Sequence, residues 1–171
     1  MLRLHYICIS LLMIVGCSCS APAQKDKFMS QNPYYSRTDT SKLNVSNDEW
    51  KRILPPVLYS VSRQAATEPS FTGNMWKDET IGNYYCAVCG NALFKSTAKF
   101  TSMCGWPSFF EPLRKDNMLY REDNSYGMHR VEVLCARCES HLGHIFDDGP
   151  EPTGKRYCMN AVSLDFEPTG E

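Results

Sequence analysis

The sequence predicts a mainly β domain built from antiparallel strands, with short helices at its N-terminal edge. From Thr80 onward, short extended segments are separated by glycine, proline, asparagine and aspartate, which is the pattern of strands joined by turns. Residues 130–134 alternate polar and apolar side chains, and Val162, Leu164 and Phe166 repeat this period of two, as half-buried strands do. The strands do not alternate with long helical segments, so the sequence favours antiparallel pairing over a parallel βαβ arrangement.

The predicted domain spans residues 46–168 and opens with a helix start signal. Ser46 to Glu49 form a capping-box pattern, in which the serine side chain caps free backbone N–H groups of the first turn. Pro55 and Pro56 end this helix and begin a second one, because proline disrupts a helix interior but fits a first turn. Apolar residues at helical spacing predict packing onto a sheet: Trp50, Ile53, Leu54, Val57, Leu58 and Val61.

Length and charge limit the classes of function. The chain has 171 residues, enough for one domain with a substantial core. Its formal net charge of −1 provides no excess of positive charge for a nucleic-acid surface, so nucleic acid is not an expected partner. We expect a monomer. Nine cysteines are present, and six lie in the body of the chain: Cys86, Cys89, Cys104, Cys135, Cys138 and Cys158.

The first residues predict export. Arg3 precedes an apolar run over residues 6–15 that is too short to cross a bilayer and is typical of a signal peptide, which we assign to residues 1–16. Cys17 follows a small residue, as in a bacterial lipobox, so it is the expected lipidation site of a periplasmic or cell-envelope lipoprotein. Cleavage after Ala23 is the alternative, and it would release a soluble secreted protein.

A polar segment separates this leader from the domain. Residues 17–45 are rich in serine, threonine, asparagine, lysine and aspartate, and they offer few apolar side chains to offset the entropy lost on ordering. The segment is therefore predicted to be a flexible tether that holds the domain clear of the membrane. Contact with the membrane is expected only through the lipid anchor, and residues 169–171 form a short tail.

Two C-x-x-C motifs predict a metal site. Each motif offers two thiolates, and two motifs can close a tetrahedral Cys₄ zinc site that is structural, since no position remains open for water. The intervening residues 90–134 exceed the roughly 15–20 residues common in zinc ribbons. A disulfide framework is an alternative in an exported protein, and so is a Cys₂His₂ site. The predicted Cys₄ ligands are Cys86, Cys89, Cys135 and Cys138, and the Cys₂His₂ set is Cys135, Cys138, His141 and His144.

Cys104 and Cys158 remain outside the predicted metal site. Two such thiols in one small domain suggest a nucleophile that is oxidised to a sulfenic acid and a second thiol that condenses with it. A permanent structural disulfide is the alternative. If its segment is extended, Cys158 shares one face with Arg156 and Asn160, and a nearby cation favours the nucleophilic thiolate. The alternative for Cys158 alone is an inert buried side chain.

Histidines can supply the proton that such chemistry requires. His141 and His144 stand in the sequence His-Leu-Gly-His, and imidazole donates or holds a proton near neutral pH. The spacing does not match H-E-x-x-H, so it gives no support to a metalloprotease.

Six motifs in one order now identify a resemblance. They are Thr67–Pro69 with Phe71–Gly73, the two C-x-x-C pairs, Cys104–Phe109, His141–Phe146, Asp148–Pro150 and Arg156–Asn160. Together they resemble the B-type peptide methionine sulfoxide reductases, which act on the R epimer of the sulfoxide. The resemblance covers the whole domain. It implies two antiparallel β-sheets with a zinc knuckle away from the active site.

The resemblance also implies a reaction. Cys158 attacks the sulfoxide sulfur, methionine is released, and a sulfenic acid remains on the cysteine. Cys104 resolves this acid as a disulfide, which a thioredoxin-like reductant reopens. The substrate is oxidised methionine in proteins or peptides, and the implied role is repair of oxidised proteins.

Further site residues follow from the same resemblance. Trp106 and Phe146 are expected to form the apolar pocket for the methyl group of the substrate. His141, His144 and Asn160 are expected to bind and protonate the sulfoxide oxygen. Arg156 is expected to favour the thiolate.

The sequence departs from the family pattern at two positions. Met103 stands where glycine is common, and Ala161 stands where serine is common. A different class of function stays open as the alternative: a non-enzymatic exported zinc-ribbon or disulfide-stapled binding module.

Overall fold

A computed structural model of the chain describes residues 31–170. The predicted signal peptide, Cys17 and the first part of the predicted tether lie outside these described residues. Two helices of the described range precede the strands, α1 (Asn47–Ile53) and α2 (Pro56–Gln64). Within residues 31–170, neither of these nor any other helix is long and apolar enough to span a membrane.

The helix boundaries follow from the predicted signals. Ser46 Oγ accepts a hydrogen bond from Glu49 N at 3.2 Å and caps α1, and Pro56 occupies the first turn of α2. Leu58 and Val61 are buried, whereas Val57 is 63% exposed. The prediction that Val57 shares their buried side is wrong, because consecutive helical residues point about 100° apart whereas residues three apart lie on one face.

Nine strands of the described residues form two antiparallel sheets, as predicted. The smaller sheet has the order β2-β1-β9 and the larger has the order β3-β4-β8-β7-β6-β5. The strands are β1 (Gly82–Cys86), β2 (Ala92–Lys95), β3 (Lys99–Phe100), β4 (Ser108–Phe109), β5 (Met118–Asp123), β6 (Arg130–Cys135), β7 (His141–Phe146), β8 (Arg156–Met159) and β9 (Leu164–Pro168). The prediction of a mainly β fold with short N-terminal helices is confirmed.

Aromatic side chains from both sheets form the centre of the core. Phe94 of β2 stacks on Phe109 of β4 with ring centroids 4.1 Å apart, and Tyr84 of β1 meets Phe109 edge-on at 4.9 Å. All three residues are fully buried. Such pairs add to the free energy gained by burying the rings, so the two sheets are fixed against each other beneath the strand that carries Cys158.

Residues 31–45 pack against the domain. Asn32 is buried and donates to the carbonyl of Val88 at 2.8 Å, and Tyr34 packs edge-on against Trp50 with ring centroids 5.2 Å apart. The prediction of a flexible tether up to residue 45 is therefore wrong for these residues, which form a strap.

A buried cation explains why the strap is held. The side chain of Arg137 is only 2% exposed, and a buried guanidinium must find acceptors for its N–H groups. It donates to the carbonyls of Tyr34 at 3.0 Å and Ser41 at 3.2 Å and forms an ion pair with Asp39 at 2.8 Å. These polar contacts stabilise the segment together with the packing of Tyr34, Leu43 and Val45 against the core.

Candidate active site

Strand β8 positions Cys158 at the centre of the larger sheet. Tyr157 and Met159 are buried, whereas Arg156 and Cys158 on the opposite face are partly exposed. Cys158 lies opposite Ser108 of β4 and His144 of β7 in the two neighbouring ladders. The period of two along this strand therefore presents the thiol to a surface cleft while its neighbours fix the strand in the core.

The structure brings Cys104 and Cys158 together. Cys104 lies in the loop between β3 and β4, and its Sγ atom is 3.5 Å from Cys158 Sγ. Ser102 Oγ lies 2.8 Å and Ser108 Oγ 3.5 Å from Cys104 Sγ. Gly105 turns the loop with a φ of +85°, a conformation that glycine adopts without steric cost.

The two thiols affect each other's ionisation. Hydrogen bonds, chiefly from Cys158 and then from the serine hydroxyls, lower the pKa of Cys104 to about 4. Cys104 in turn raises the pKa of Cys158, as does burial, and Arg156 opposes this rise. The pair thus shares one proton and holds one negative charge near neutral pH. The contact with Cys104 is the largest cause of the raised pKa of Cys158. Without that contact the pKa of Cys158 would fall, and Arg156 would still favour its thiolate.

Arg156 is fixed by two neighbours. Its guanidinium donates twice to the carboxylate of Asp148, with both distances 2.8 Å, in the bidentate geometry typical of strong arginine pairs. The same guanidinium lies 4.4 Å from the ring centroid of Phe146, a cation–π contact. The positive charge near Cys158 therefore has a defined position.

Each histidine of β7 is held by a carboxylate. His141 Nδ1 lies 2.7 Å from Glu132 Oε1, and His144 Nε2 lies 2.8 Å from Asp123 Oδ2. A carboxylate at one ring nitrogen sets the tautomer and orientation of the imidazole. Burial lowers the pKa of His141, and Glu132 opposes that shift.

A bulge places both histidines on one side of the sheet. Val133 pairs with Gly143 but Leu134 pairs with His141, so β7 carries one extra residue at this point and the alternation of faces is interrupted. The two imidazole rings are 5.4 Å apart. Three residues of separation would otherwise direct them to opposite faces of a regular strand.

One cleft of about 110 Å³ collects most of the predicted site residues. Those that line it are Trp106, His144, Phe146, Cys158 and Asn160. His141 lies in a neighbouring cavity of about 550 Å³ that also contains His144, and its Nε2 is buried without a hydrogen-bond partner among the described residues. The cleft thus combines aromatic walls with a thiol, an imidazole and an amide.

Asn160 has a fixed side-chain orientation. Its Oδ1 accepts from Glu68 N at 3.1 Å, and its Nδ2 donates to the carbonyl of Leu142 at 3.2 Å. An amide nitrogen carries two donors, so one N–H remains for a molecule in the cleft.

The four cysteines of the C-x-x-C motifs form one buried cluster. All four sulfur atoms lie within 4.8 Å of one another, with Cys86 and Cys138 3.7 Å apart and Cys89 and Cys135 3.6 Å apart. Tetrahedral coordination with metal–sulfur bonds of about 2.3 Å requires sulfur–sulfur edges of about 3.8 Å. The cluster therefore has the ligand type and spacing to hold a metal ion.

The other arrangements considered for these cysteines do not match the structure. In the described part of the chain, all six cysteines are free thiols, which differs from a disulfide framework. His141 and His144 bind carboxylates, and the metal-ligand cluster contains neither of them. The Cys₂His₂ set is therefore not assembled.

Sequence reasoning missed Glu132 and Asp123. The alternation at residues 130–134 predicted that Glu132 faces solvent and Val131 faces the core. Instead Glu132 is 8% exposed and Val131 is 37% exposed. A carboxylate on a strand next to a histidine-bearing segment is the signal that could have indicated the pairing, but the register that brings it to His141 was not available from the sequence.

Comparisons with known proteins agree with this geometry. The SelR domain family matches residues 54–168. The chain is 52% identical over 134 residues to Peptide methionine sulfoxide reductase MsrB of Methanosarcina mazei, covering 77% of this chain and 96% of that protein. The protein of the same name from Methanosarcina barkeri is 53% identical over 122 residues, covering 71% and 86%. That of Acinetobacter baumannii is 50% identical over 126 residues, covering 74% and 91%. The chain therefore belongs to the SelR domain family, together with these methionine sulfoxide reductases of the MsrB type.

Proposed function

We propose that this protein is a peptide-methionine (R)-S-oxide reductase that repairs oxidised methionine in proteins or peptides. The observation that carries the proposal is the approach of two free thiols to 3.5 Å at a cleft walled by Trp106 and Phe146. The aromatic side chains suit the methyl group of the substrate, and the thiol pair suits a reduction that ends in a disulfide. Relatives named as methionine sulfoxide reductases support the same activity.

In the first step the proton shared by the two thiols passes to Cys104, and the Cys158 thiolate attacks the sulfoxide sulfur. The sulfoxide oxygen needs a proton as its bond to sulfur breaks, and His144 is the imidazole that lines the cleft. We assign proton donation to His144, with His141 behind it, and we assign orientation of the oxygen to the free N–H of Asn160. The oxygen moves to Cys158 as a sulfenic acid, and the substrate leaves as methionine.

In the second step Cys104 resolves the sulfenic acid. Its sulfur forms a bond to Cys158 Sγ, the sulfur–oxygen bond breaks, and the hydroxyl group leaves as water with the proton of the Cys104 thiol. A thioredoxin-like partner then returns two electrons and two protons to the disulfide. The partly exposed position of Cys104 suits attack on this sulfur by such a partner.

Zinc is the metal that we propose for the cysteine cluster. Four buried thiolates match its preference for tetrahedral sulfur coordination, and they leave no open position for a substrate. Cys86 would hold the ion from the end of β1 and Cys89 from the turn that follows. Cys135 would hold it from the end of β6 and Cys138 from the turn that follows that strand. The ion would stabilise the fold and take no part in the reduction.

Export is part of the proposal. The sequence supports a signal peptide over residues 1–16 with lipidation at Cys17, or cleavage after Ala23, so that a monomeric enzyme acts in the periplasm or cell envelope, or outside the cell. A zinc-ribbon binding module would give no reason for the thiol pair, the fixed arginine or the carboxylate-held histidines.

A single turnover without reductant tests the two-step scheme. We expect the domain to release about one methionine per chain and to lose two thiols, because the Cys104–Cys158 disulfide is the end point. The measurement is product quantification by chromatography, with thiol counting and peptide mapping of the disulfide. Methionine release with both thiols intact would contradict the scheme.

A further inference from the structure

A loop that supplies none of the reacting groups contacts both segments that carry the thiol pair. We call residues 67–73 the bridging loop. The backbone N–H of Glu68 donates to Asn160 Oδ1 at 3.1 Å, and the backbone carbonyl of Glu68 accepts from Trp106 Nε1 at 3.2 Å. The Glu68 carboxylate also accepts a backbone N–H from Val162 at 2.9 Å. The bridging loop is thus bound to the chain beyond Cys158 on one side and to the Cys104 loop on the other.

Within the bridging loop, Phe71 contacts Gly105, the residue next to Cys104 in the sequence. Its backbone N–H donates to the carbonyl of Gly105 at 2.8 Å. Its ring covers the same glycine, since a Cβ atom at position 105 would lie 2.8 Å from the ring. Both the hydrogen bond and the ring therefore act on the residue that directly follows the resolving cysteine.

The conformation of Phe71 is unfavourable for a residue of its type. Its φ is +61°, a region that bulky side chains rarely occupy, and the side chain remains 52% exposed. Its ring meets Trp76 edge-on with centroids 5.3 Å apart. Burial in the core does not account for this placement. A non-glycine residue in such a conformation is maintained by its surroundings, and the surroundings here are the Cys104 loop.

We propose that Phe71 is a positioning residue for the resolving step, an inference that rests on the proposed function. Disulfide formation must shorten the distance between Cys104 Sγ and Cys158 Sγ from 3.5 Å to about 2.05 Å. In this step the S–S bond forms, the S–O bond of the sulfenic acid breaks, and water leaves with the Cys104 proton. Phe71 limits the motion of Gly105, so that Cys104 stays within this short reach of its target.

Separate measurement of the two steps tests the proposal. In Phe71→Ala we expect an unchanged rate of methionine release in the first turnover, because the cleft residues are intact. We expect disulfide formation to slow by about tenfold or more, since a displacement of about 1 Å can cost that much. Rapid quenching with a sulfenic-acid trap measures the two rates. Phe71→Leu, which keeps an apolar side chain, should slow disulfide formation less than Phe71→Ala does. Phe71→Tyr, which keeps an aromatic ring, should form the disulfide at the wild-type rate.

Ile81→Ala is the control. Ile81 is also a large apolar residue with an exposed side chain, at 64%, and it lines neither the cleft nor the cavity of the two histidines. Its removal should change neither rate. Disulfide formation at the wild-type rate in Phe71→Ala and Phe71→Leu would overturn the proposal, and so would an equal loss in both steps or an equal effect of Ile81→Ala. Absence of methionine release from the wild-type protein would instead overturn the proposed function itself.

Discussion

Replacing Cys158 by serine should reduce the rate of methionine sulfoxide reduction by more than about a thousandfold, because a hydroxyl is not ionised near neutral pH and is a poor nucleophile toward sulfur. The thiol lies at the cleft opposite His144, and no other thiol of the described residues lines that cleft. The measurement is methionine formation with dithiothreitol as the reductant, which does not depend on a protein partner.

Cys104→Ser is the control that separates the two thiols. It should retain turnover with dithiothreitol, since a small thiol can reduce the sulfenic acid directly, and it should fail with a thioredoxin because no disulfide forms. Normal thioredoxin-supported turnover in Cys104→Ser would show that Cys104 is not the resolving cysteine. Residual activity in Cys158→Ser comparable to that of the wild type would show that the nucleophile is another group.

Replacing Cys135 by serine should unfold the domain or leave it without metal. Structural zinc contributes on the order of 10 kcal/mol to folding, which is comparable to the whole free energy of unfolding of a domain, about 5–15 kcal/mol. All four cysteines of the cluster are buried, so the remaining three thiols could not regain hydration. Zinc content by mass spectrometry and the thermal unfolding midpoint measure the effect.

The matched comparison for this variant is again Cys104→Ser, which removes a thiol outside the cluster. That variant should keep about one zinc ion per chain and a wild-type unfolding midpoint. If Cys135→Ser were as stable as the wild type and the wild type contained no metal, the cluster would not be a zinc site.

Features carried by local spacing were predictable from the sequence. Two C-x-x-C turns indicate a shared site because each supplies two sulfur ligands at a fixed separation, and the structure brings all four together. The alternation around Cys158 indicates an extended segment, and β8 covers it. The antiparallel class followed from short strands separated by turn residues. The resemblance to a family added the order of the motifs and hence the roles expected of Trp106 and Phe146.

Features that depend on contacts between distant segments were not predictable. The strap at residues 31–45 is held by the buried side chain of Arg137, which the sequence shows only as one arginine inside a C-x-x-C motif. A bulge in β7 places His141 and His144 on one side of the sheet, and no local sequence pattern predicts this bulge. Burial of Glu132 follows from that same register, because His141 gives the carboxylate a hydrogen-bond partner that offsets the cost of desolvation.

Comparison of the two sulfoxide epimers tests the central claim most directly. The purified protein is incubated with dithiothreitol and one epimer, R or S, of a dabsylated methionine sulfoxide, and the dabsylated methionine is quantified. We expect turnover of the R epimer, as the proposed function requires, and little or none of the S epimer, because an asymmetric cleft fits only one of the two arrangements of methyl group and oxygen around the sulfur. Absence of turnover of the R epimer would contradict the assignment of this protein as a methionine-(R)-sulfoxide reductase.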